Sequence, residues 1–302
     1  MKNNNTIDEI DFGVEFEFTK TDLNTIKNEI QNSDQLYNRN MEWNVVTEGS
    51  CENYDFTNNT ILGGEVVSPI LNSSNKKDLT MIKNILNLLN ENNVGVDDRT
   101  AMHIHYDAQQ SMMNTKYIEL VELWLAFEPI IFRFGFNKDI NGRLLIEDYA
   151  APLRADNYNY LIFLDFCKRK NYKLEDYHKV FGNNYSRFDK SKCLNFSNMI
   201  HNYESKKMVK VNTVEVRTPD STTDYDSALA NIMFFKNIFK LATTDIDLDY
   251  LRSINRRTPD ENSFESLMEN YKQINNPLFE ELIGMMDIDS STEEMFIRQY
   301  QK

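Results

Sequence analysis

Two glutamates, Glu15 and Glu17, alternate with apolar residues near the start of the chain and are the first candidates for chemistry. Val14, Phe16 and Phe18 occupy the intervening positions, which is typical of a β-strand with one apolar face, because successive side chains point to opposite faces. The two carboxylates would then lie about 7 Å apart on the other face. A solvated acidic face would explain this pattern. Paired carboxylates also suit Mg²⁺, which takes oxygen ligands from more than one side chain.

A second alternating stretch carries two of the four histidines in the chain. His103 and His105 share one face of a strand predicted over 102–106, and Met102, Ile104 and Tyr106 share the other. A lone histidine is usually a surface or core residue. Two at this spacing favour a metal or phosphate contact.

A third carboxylate follows two glycines inside an apolar strand predicted over 61–69. Glycines within a strand indicate a bulge or a close approach of backbone. Glu65 comes directly after Gly63 and Gly64, so it either caps a bulge or supplies another metal ligand.

The strand predicted over 211–220 places Glu215 and Arg217 on one face and Val214 and Val216 on the other. One interpretation of these two charged side chains is a simple ion pair. The same pair suits a site in which the glutamate binds metal and the arginine binds a phosphate oxygen.

If these strands are neighbours in one sheet, their polar faces combine into a carboxylate-rich site with imidazole and guanidinium groups. Many oxygen ligands with few nitrogens favour Mg²⁺ or Mn²⁺ over zinc. The sequence therefore predicts a hard-cation site on one face of a sheet.

Helices must position this sheet, and apolar residues at helical spacing predict them over 22–30, 79–89, 115–136 and 224–241. Helices are also predicted over 157–169 and 174–181. Pro129 should kink the third helix. After residue 245 the chain becomes charged, with short helices predicted over 264–271, 277–286 and 292–300.

The composition limits the classes of partner. The chain has 302 residues, with 33 Lys and Arg against 47 Asp and Glu, for a net charge of -14. This balance disfavours wrapping of nucleic acid, although a metal would allow a small phosphate site.

The compartment is predicted from cysteines and apolar runs. Cys51, Cys167 and Cys193 show neither zinc nor disulfide spacing, which indicates reduced thiols. The Asn-rich start has no signal-peptide core, and no apolar run is long enough to span a membrane. We therefore expect a cytoplasmic protein, or one in a host cell's cytoplasm, without membrane partners.

Four strings resemble, in order and approximate spacing, those of the amidoligases, which are carboxylate–amine ligases related to glutamine synthetase and often found in phage and mobile elements. They are GVEFE from Gly13, GEVVSP from Gly64, MHIH from Met102 and VEVR from Val214.

Two further strings add to this resemblance, which covers about residues 12–241. The segment 43–50 is similar to the family's Trp-x-Val-x-x-Asp-Gly-Ser string, with Glu48 in place of Asp. Arg187-Phe188 with Leu194-Asn195 resembles its Arg-Tyr…Leu-Asn string.

The resemblance implies an α+β, glutamine synthetase-like fold in which helices pack on the outer face of a curved, barrel-like antiparallel sheet. It also implies an ATP site with Mg²⁺. Glu17 and Glu65 would hold one ion, and a second ion bridging the β- and γ-phosphates would be held by Glu15, His103 and Glu215.

The resemblance assigns the remaining candidates to the nucleotide and the reaction. Arg217 would meet the transferred phosphoryl group, and His105 and Ser68 would belong to the nucleotide site. Arg187 would supply a second cation for phosphate or carboxylate. Glu48 would be a further acidic group near the reaction.

The implied activity is ATP-dependent amide-bond formation between a carboxylate acceptor and an amine donor, through an acyl phosphate. Two alternatives remain: a phosphotransferase of the guanidino-kinase type on a related fold, and an inactive structural or interaction protein. We expect the ligase domain over residues 1–255, with a helical extension over 256–302.

Overall fold

A computed structural model describes residues 9–33, 36, 42–111, 113–136, 150–155, 192–196, 198, 212–257 and 264–302. The helices predicted for the stretch between 157 and 181 lie outside these residues.

In the described residues, eight strands form one sheet in the order β2-β4-β1-β6-β8-β7, with β3 paired to β4 and β5 paired to β1. Their bounds are β1 (Asp11–Asp22), β2 (Asn44–Val46), β3 (Asn53–Asp55), β4 (Thr60–Val67), β5 (Leu71–Asn72), β6 (Met102–Asp107), β7 (Leu194–Asn195) and β8 (Thr213–Val216).

The pairings between these strands are antiparallel, as expected. Within the described residues the sheet is open, with β2 at one end of its path and β7 at the other. The predicted barrel-like closure is therefore wrong for this part of the chain. The strand alternation sets the faces of the sheet but does not determine whether its edges meet.

The α-helices of the described residues are α1 (Leu23–Asn32), α2 (Lys76–Glu91), α3 (Met113–Gly135), α4 (Tyr225–Ala242), α5 (Leu248–Arg257), α6 (Phe264–Tyr271), α7 (Asn276–Met285) and α8 (Ser290–Tyr300). Asp22 caps α1 by accepting a hydrogen bond from the backbone of Thr25, and Asp224 caps α4 in the same way. The sequence did not predict β3 or α5. β3 has three residues, and α5 buries just two of its ten side chains, Leu251 and Ile254.

The apolar face of the sheet packs against α3 and α4. The Tyr106 ring lies 4.7 Å from the Phe239 ring, and its hydroxyl donates a hydrogen bond to the Ile232 carbonyl. Trp124 of α3 stacks on Phe235 of α4 at 5.7 Å. Burying aromatic residues on this face leaves the glutamates of β1 on the opposite face.

The two glycines of β4 form the expected irregularity. Gly63 and Gly64 have φ of 93° and 154°, and the β1–β4 register shifts beside them. A side chain on Gly63 would collide with the carbonyl oxygen of Cys51. The glycines therefore allow the turn 48–51 to pack against β4 next to Glu65.

The kink expected from Pro129 is present in α3. Phe127 has non-helical φ and ψ of -116° and 15°, two residues before the proline. None of the described helices is both long and apolar enough to cross a bilayer.

The C-terminal helices share the core of the preceding segments. Phe296 of α8 contacts the rings of Phe134 in α3 and Phe234 in α4, at centroid distances of 5.7 and 5.5 Å. The expected boundary between residues 255 and 256 falls inside α5. The division into a ligase domain and an extension stays a prediction.

Candidate active site

Strand pairing places the predicted metal ligands side by side. Glu15 of β1 lies directly opposite His103 of β6, and Glu17 lies opposite Glu65 of β4. On the other side of β6, His105 lies opposite Glu215 of β8. Directly opposed residues on antiparallel strands point to the same face. One face of the sheet therefore carries all the predicted metal-binding side chains.

His103 is surrounded by three of the carboxylates. Its Nδ1 lies 3.2 Å from Glu15 Oε2 and 3.7 Å from Glu215 Oε1, while its Nε2 lies 3.7 Å from Glu17 Oε1. His105 Nε2 lies 3.1 Å from Glu15 Oε1 and 3.9 Å from Glu215 Oε1. The two imidazoles thus lie between the carboxylate of Glu15 on β1 and the carboxylate of Glu215 on β8.

Glu215 is held from two sides and is 5% exposed. Arg217 Nη1 donates to its Oε1, and Asn195 Nδ2 donates to its Oε2 at 2.7 Å. Sequence reasoning did not assign a role to Asn195, although the Leu194-Asn195 string pointed to it. Its pairing with Glu215 across β7 and β8 depends on sheet order.

The cluster shifts the pKa values of its members in opposite directions. Burial alone would raise the pKa of Glu15, but hydrogen bonds from His103 and His105 hold it well below its usual range. Burial also acts against ionisation of Glu215, yet Arg217 and the two histidines lower its pKa. Burial disfavours the charged form of His105, but Glu15 and Glu215 raise its pKa.

Glu65 differs from these groups because carboxylates surround it. Burial, followed by repulsion from Glu15, Glu48 and Glu17, raises its pKa to about 8. Glu48 is near enough to act on Glu65, and its Oε1 accepts hydrogen bonds from the backbone and hydroxyl of Ser50. The described groups around Glu65 therefore do not supply enough positive charge for all of these carboxylates to be ionised together.

The donor set fits a hard divalent cation. Two groups of three side chains bring one potential ligand atom from each within 4.8 Å, namely Glu15, Glu65 and His103, and Glu15, His105 and Glu215. The buried Nε2 of His103 makes no hydrogen bond to the described residues, while Nδ1 faces Glu15. A metal-ligating histidine commonly directs its other ring nitrogen to a carboxylate in this way.

These groupings differ from those expected at the sequence level. The family resemblance implied that Glu17 and Glu65 hold one ion and that Glu15, His103 and Glu215 hold a second, and these assignments stay predictions. In the structure His105 joins Glu15 and Glu215, and Glu17 belongs to neither group of three. Glu17 Oε2 accepts a hydrogen bond from the Ala101 backbone at 2.7 Å, so one of its oxygens is already used.

Two other candidates are less informative. The Ser68 hydroxyl accepts a hydrogen bond from the Val14 backbone and donates one to the Pro69 carbonyl, which favours a role in strand pairing. Its place in a nucleotide site stays a prediction. Arg187 lies outside the described residues.

A family model described as "Putative amidoligase enzyme" matches residues 8–239, and this span contains every residue of the cluster. The chain belongs to this amidoligase family. The match covers the four strings that suggested the family from sequence.

Comparisons with solved structures and with curated proteins give no further indication of function. A crystal structure of a bifunctional glutathione synthetase from Pasteurella multocida aligns with a TM-score of 0.48 and 10% identity, over 98% of this chain and 47% of that one. The chain thus spans about half the length of that synthetase. A likeness at this identity and TM-score does not indicate a shared function. No curated protein matched the sequence.

Proposed function

We propose that this amidoligase joins a carboxylate to an amine with ATP and Mg²⁺, through an acyl-phosphate intermediate. The carboxylate and histidine cluster on one sheet face, with Arg217 at its edge, is the observation that carries the proposal. Family membership supports a ligase activity in general.

The glutamates and histidines have the roles of metal ligands in this proposal. Glu17 and Glu65 would hold one ion, and Glu15, His103 and Glu215 would hold a second, with His105 beside it. When bound, Mg²⁺ or Mn²⁺ would neutralise negative charge on the phosphates of ATP. Ser68 and Arg187 complete the proposed nucleotide site, and Glu48 lies at its acidic end.

The reaction has two steps. A carboxylate oxygen of the acceptor attacks the γ-phosphorus of ATP, forming the acyl phosphate and releasing ADP. The neutral amine then attacks the acyl carbon, phosphate leaves with its bonding electrons, and the amine loses a proton. Arg217 stabilises charge on the transferred phosphoryl group, because a preorganised guanidinium does not have to reorient in the transition state.

This route needs no nucleophile from the protein, and the described cysteines are unsuited to that role. Burial, with a further contribution from Glu17, raises the pKa of Cys51 to about 12. Cys193 is also buried, and its pKa lies well above the usual value. A thiolate is the reactive form, so neither group is activated.

The proposal extends to the fold and the substrates. A glutamine synthetase-like arrangement of the sheet would place ATP over the cluster, with the carboxylate acceptor and amine donor meeting beside Arg217. The antiparallel sheet and the shared polar face support this arrangement.

A screen of amines and carboxylates that measures ADP release tests the activity. We expect ADP release to require both substrates and a divalent metal, with the nitrogen of a ¹⁵N-labelled amine recovered in an amide. ADP release with a phosphorylated guanidine as product would instead identify a guanidino-kinase type of phosphotransferase. Absence of metal-dependent ATP binding would contradict both and favour an interaction protein.

A further inference from the structure

The segment 42–75 has a one-sided charge. It contains Glu42, Glu48, Glu52, Asp55 and Glu65 but no Lys or Arg. This segment includes β2, β3, β4 and β5, and it adjoins the active-site cluster because Glu65 and Glu48 belong to both. The nearby Arg99 guanidinium is paired with Asp97 at 2.7 Å, so its charge is already matched.

Two aromatic rings are exposed near the middle of this segment, in and directly after β3. Tyr54 is 47% exposed and Phe56 is 88% exposed, although large aromatic side chains are usually buried at least in part. Their rings are in edge-to-face contact at 4.8 Å, so both project from the same side of β3. The Tyr54 hydroxyl donates to Asn59 Oδ1, which holds that ring in place.

Glu52 extends this side of β3 toward the active site. It precedes Tyr54 by two residues, which places it on the same face of an extended chain. Glu52 is half-buried, and its buried Oε1 has no hydrogen-bond partner among the described residues. Glu52 lies directly before β3 and Phe56 lies in the turn directly after it, so the three side chains lie at most about 13 Å apart along the chain. The end with Glu52 adjoins the turn that carries Glu48.

We propose that Glu52, Tyr54 and Phe56 form a docking surface for the amine substrate, and that this substrate is a lysine-bearing peptide. This inference rests on the proposed function, because a ligase must receive an amine. Aromatic faces beside carboxylates recognise ammonium groups through cation–π and charge attraction. The adjoining rings offer apolar contact to the methylene stem of a lysine side chain, and the negative charge of the segment favours a substrate that carries several such side chains over one small amine.

A blocked peptide of alternating lysine and glycine, labelled with fluorescein, probes the surface by fluorescence anisotropy at low salt. We expect binding to the wild-type protein, and no binding of the same peptide with glutamate in place of lysine. The double variant Tyr54→Ala, Phe56→Ala should bind the lysine peptide about 10-fold more weakly, since each cation–π contact contributes roughly 0.5–1 kcal/mol at an exposed site. Glu52→Gln should weaken binding by a smaller factor.

Ile70→Ala is the matched control, because Ile70 is 74% exposed at the opposite end of β4. It should leave peptide binding unchanged. All the substituted residues except Glu52 are exposed, so the variants should keep the wild-type melting temperature. Equal binding by the double variant, or no binding by the wild-type protein, would overturn the docking surface.

Two further measurements separate this inference from the proposed function. Calorimetric titration with ATP and Mg²⁺ should give the same affinity in the wild-type protein and the double variant. Loss of peptide binding with intact ATP binding then concerns the docking surface alone, while failure of ATP binding in the wild type concerns the ligase proposal. If 1,4-diaminobutane binds as tightly as the peptide and is equally sensitive to the double substitution, the peptide assignment is wrong.

Discussion

Buried carboxylates occur in two parts of this protein, and their surroundings differ. Glu128 in α3 is fully buried, and donors surround it. Its Oε1 accepts from the Leu153 backbone at 2.6 Å, and its Oε2 accepts from the Arg154 backbone at 3.1 Å and the Tyr271 hydroxyl at 2.7 Å. In the sheet cluster, by contrast, several glutamates share two imidazoles and one guanidinium.

The difference distinguishes a structural carboxylate from carboxylates arranged for a ligand. Glu128 joins α3, the segment 153–155 and α6, and its hydrogen bonds come from the protein itself. In the sheet cluster, burial and the neighbouring carboxylates raise the pKa of Glu65, and full ionisation of these groups is costly unless a cation compensates it. We therefore interpret the helical layer as the support and the sheet face as the site.

The first prediction tests the sheet cluster and has the largest expected effect. Glu17→Gln should weaken metal-dependent ATP binding by more than about 100-fold. Even residues that only hydrogen-bond to a metal ligand change metal affinity about 10- to 100-fold. Glu215→Gln should act in the same way. Glu215→Gln should also lower stability, because Arg217 would lose its ionised partner, so the melting temperature of both variants is measured beside the ATP affinity.

The control for this prediction is Glu122→Gln in α3. Glu122 is also buried, and Arg252 Nη2 donates to its Oε1 at 2.9 Å. This variant should keep ATP affinity and lose stability. Titration calorimetry with and without Mg²⁺ measures the affinities. Equal ATP affinity of the wild-type protein in both conditions would count against the metal site.

The second prediction concerns Glu128. Glu128→Ala should lower the free energy of unfolding by about 3 kcal/mol or more, because it leaves three buried donors without an acceptor at about 1 kcal/mol or more each. Urea denaturation followed by circular dichroism measures this change. Glu128→Gln keeps the shape and should cost less. If the free energy of unfolding of the alanine variant falls by less than about 1 kcal/mol, the hydrogen bonds of Glu128 contribute little to stability.

The third prediction asks whether Arg217 takes part in catalysis or only stabilises the fold by neutralising Glu215. Arg217→Lys keeps the charge but loses the planar fork. If Arg217 contacts the transferred phosphoryl group, turnover should fall about 100-fold, roughly 2.7 kcal/mol, while ATP affinity changes little. ADP release under saturating substrates measures the turnover.

The competing result for Arg217 is equally specific. If the residue only neutralises Glu215, Arg217→Lys should keep near-normal turnover. Arg217→Ala should then lower the melting temperature, because the buried Glu215 would lose its counter-charge. Normal activity in the lysine variant would defeat the catalytic assignment.

The last prediction has the smallest effect and concerns pH in the metal-free protein. Glu65 keeps its proton up to about pH 8 in the folded state, whereas its ordinary pKa is 4.5. Between these values the folded state binds more protons than the unfolded chain, so Glu65 makes stability fall as pH rises and then level off above pH 8. Urea denaturation between pH 5 and 9 should show a shallower fall in Glu65→Gln. The same slope in both proteins would contradict the raised pKa.

Much of the local structure was predictable from sequence. Alternation of Glu15 and Glu17 with Val14 and Phe16 correctly predicted β1 and its two faces. Asp22 and Asp224 correctly predicted where α1 and α4 begin. The glycines of β4 and Pro129 correctly predicted a strand irregularity and a helix kink. Each of these depends on interactions within a few residues.

Other features were missed because their signals are weak or distant. β3 is too short to show alternation, and α5 is mostly polar. Glu128 gave no local sign of its role, since its partners Leu153, Arg154 and Tyr271 come from distant segments. The barrel-like form was predicted wrongly for the described part of the sheet, because it depends on how strand edges meet in space.

The sequence by itself determined which side chains share a face of each strand, because the backbone geometry of a strand imposes a period of two. It also determined the chemical type of the site, since carboxylates, imidazoles and a guanidinium are present whatever the fold. Only the tertiary structure decided that His103 lies among three carboxylates, that His105 pairs with Glu215, and that Asn195 holds Glu215 from β7. These contacts join strands far apart in the chain, and their register is set by the packing of the whole sheet against α3 and α4.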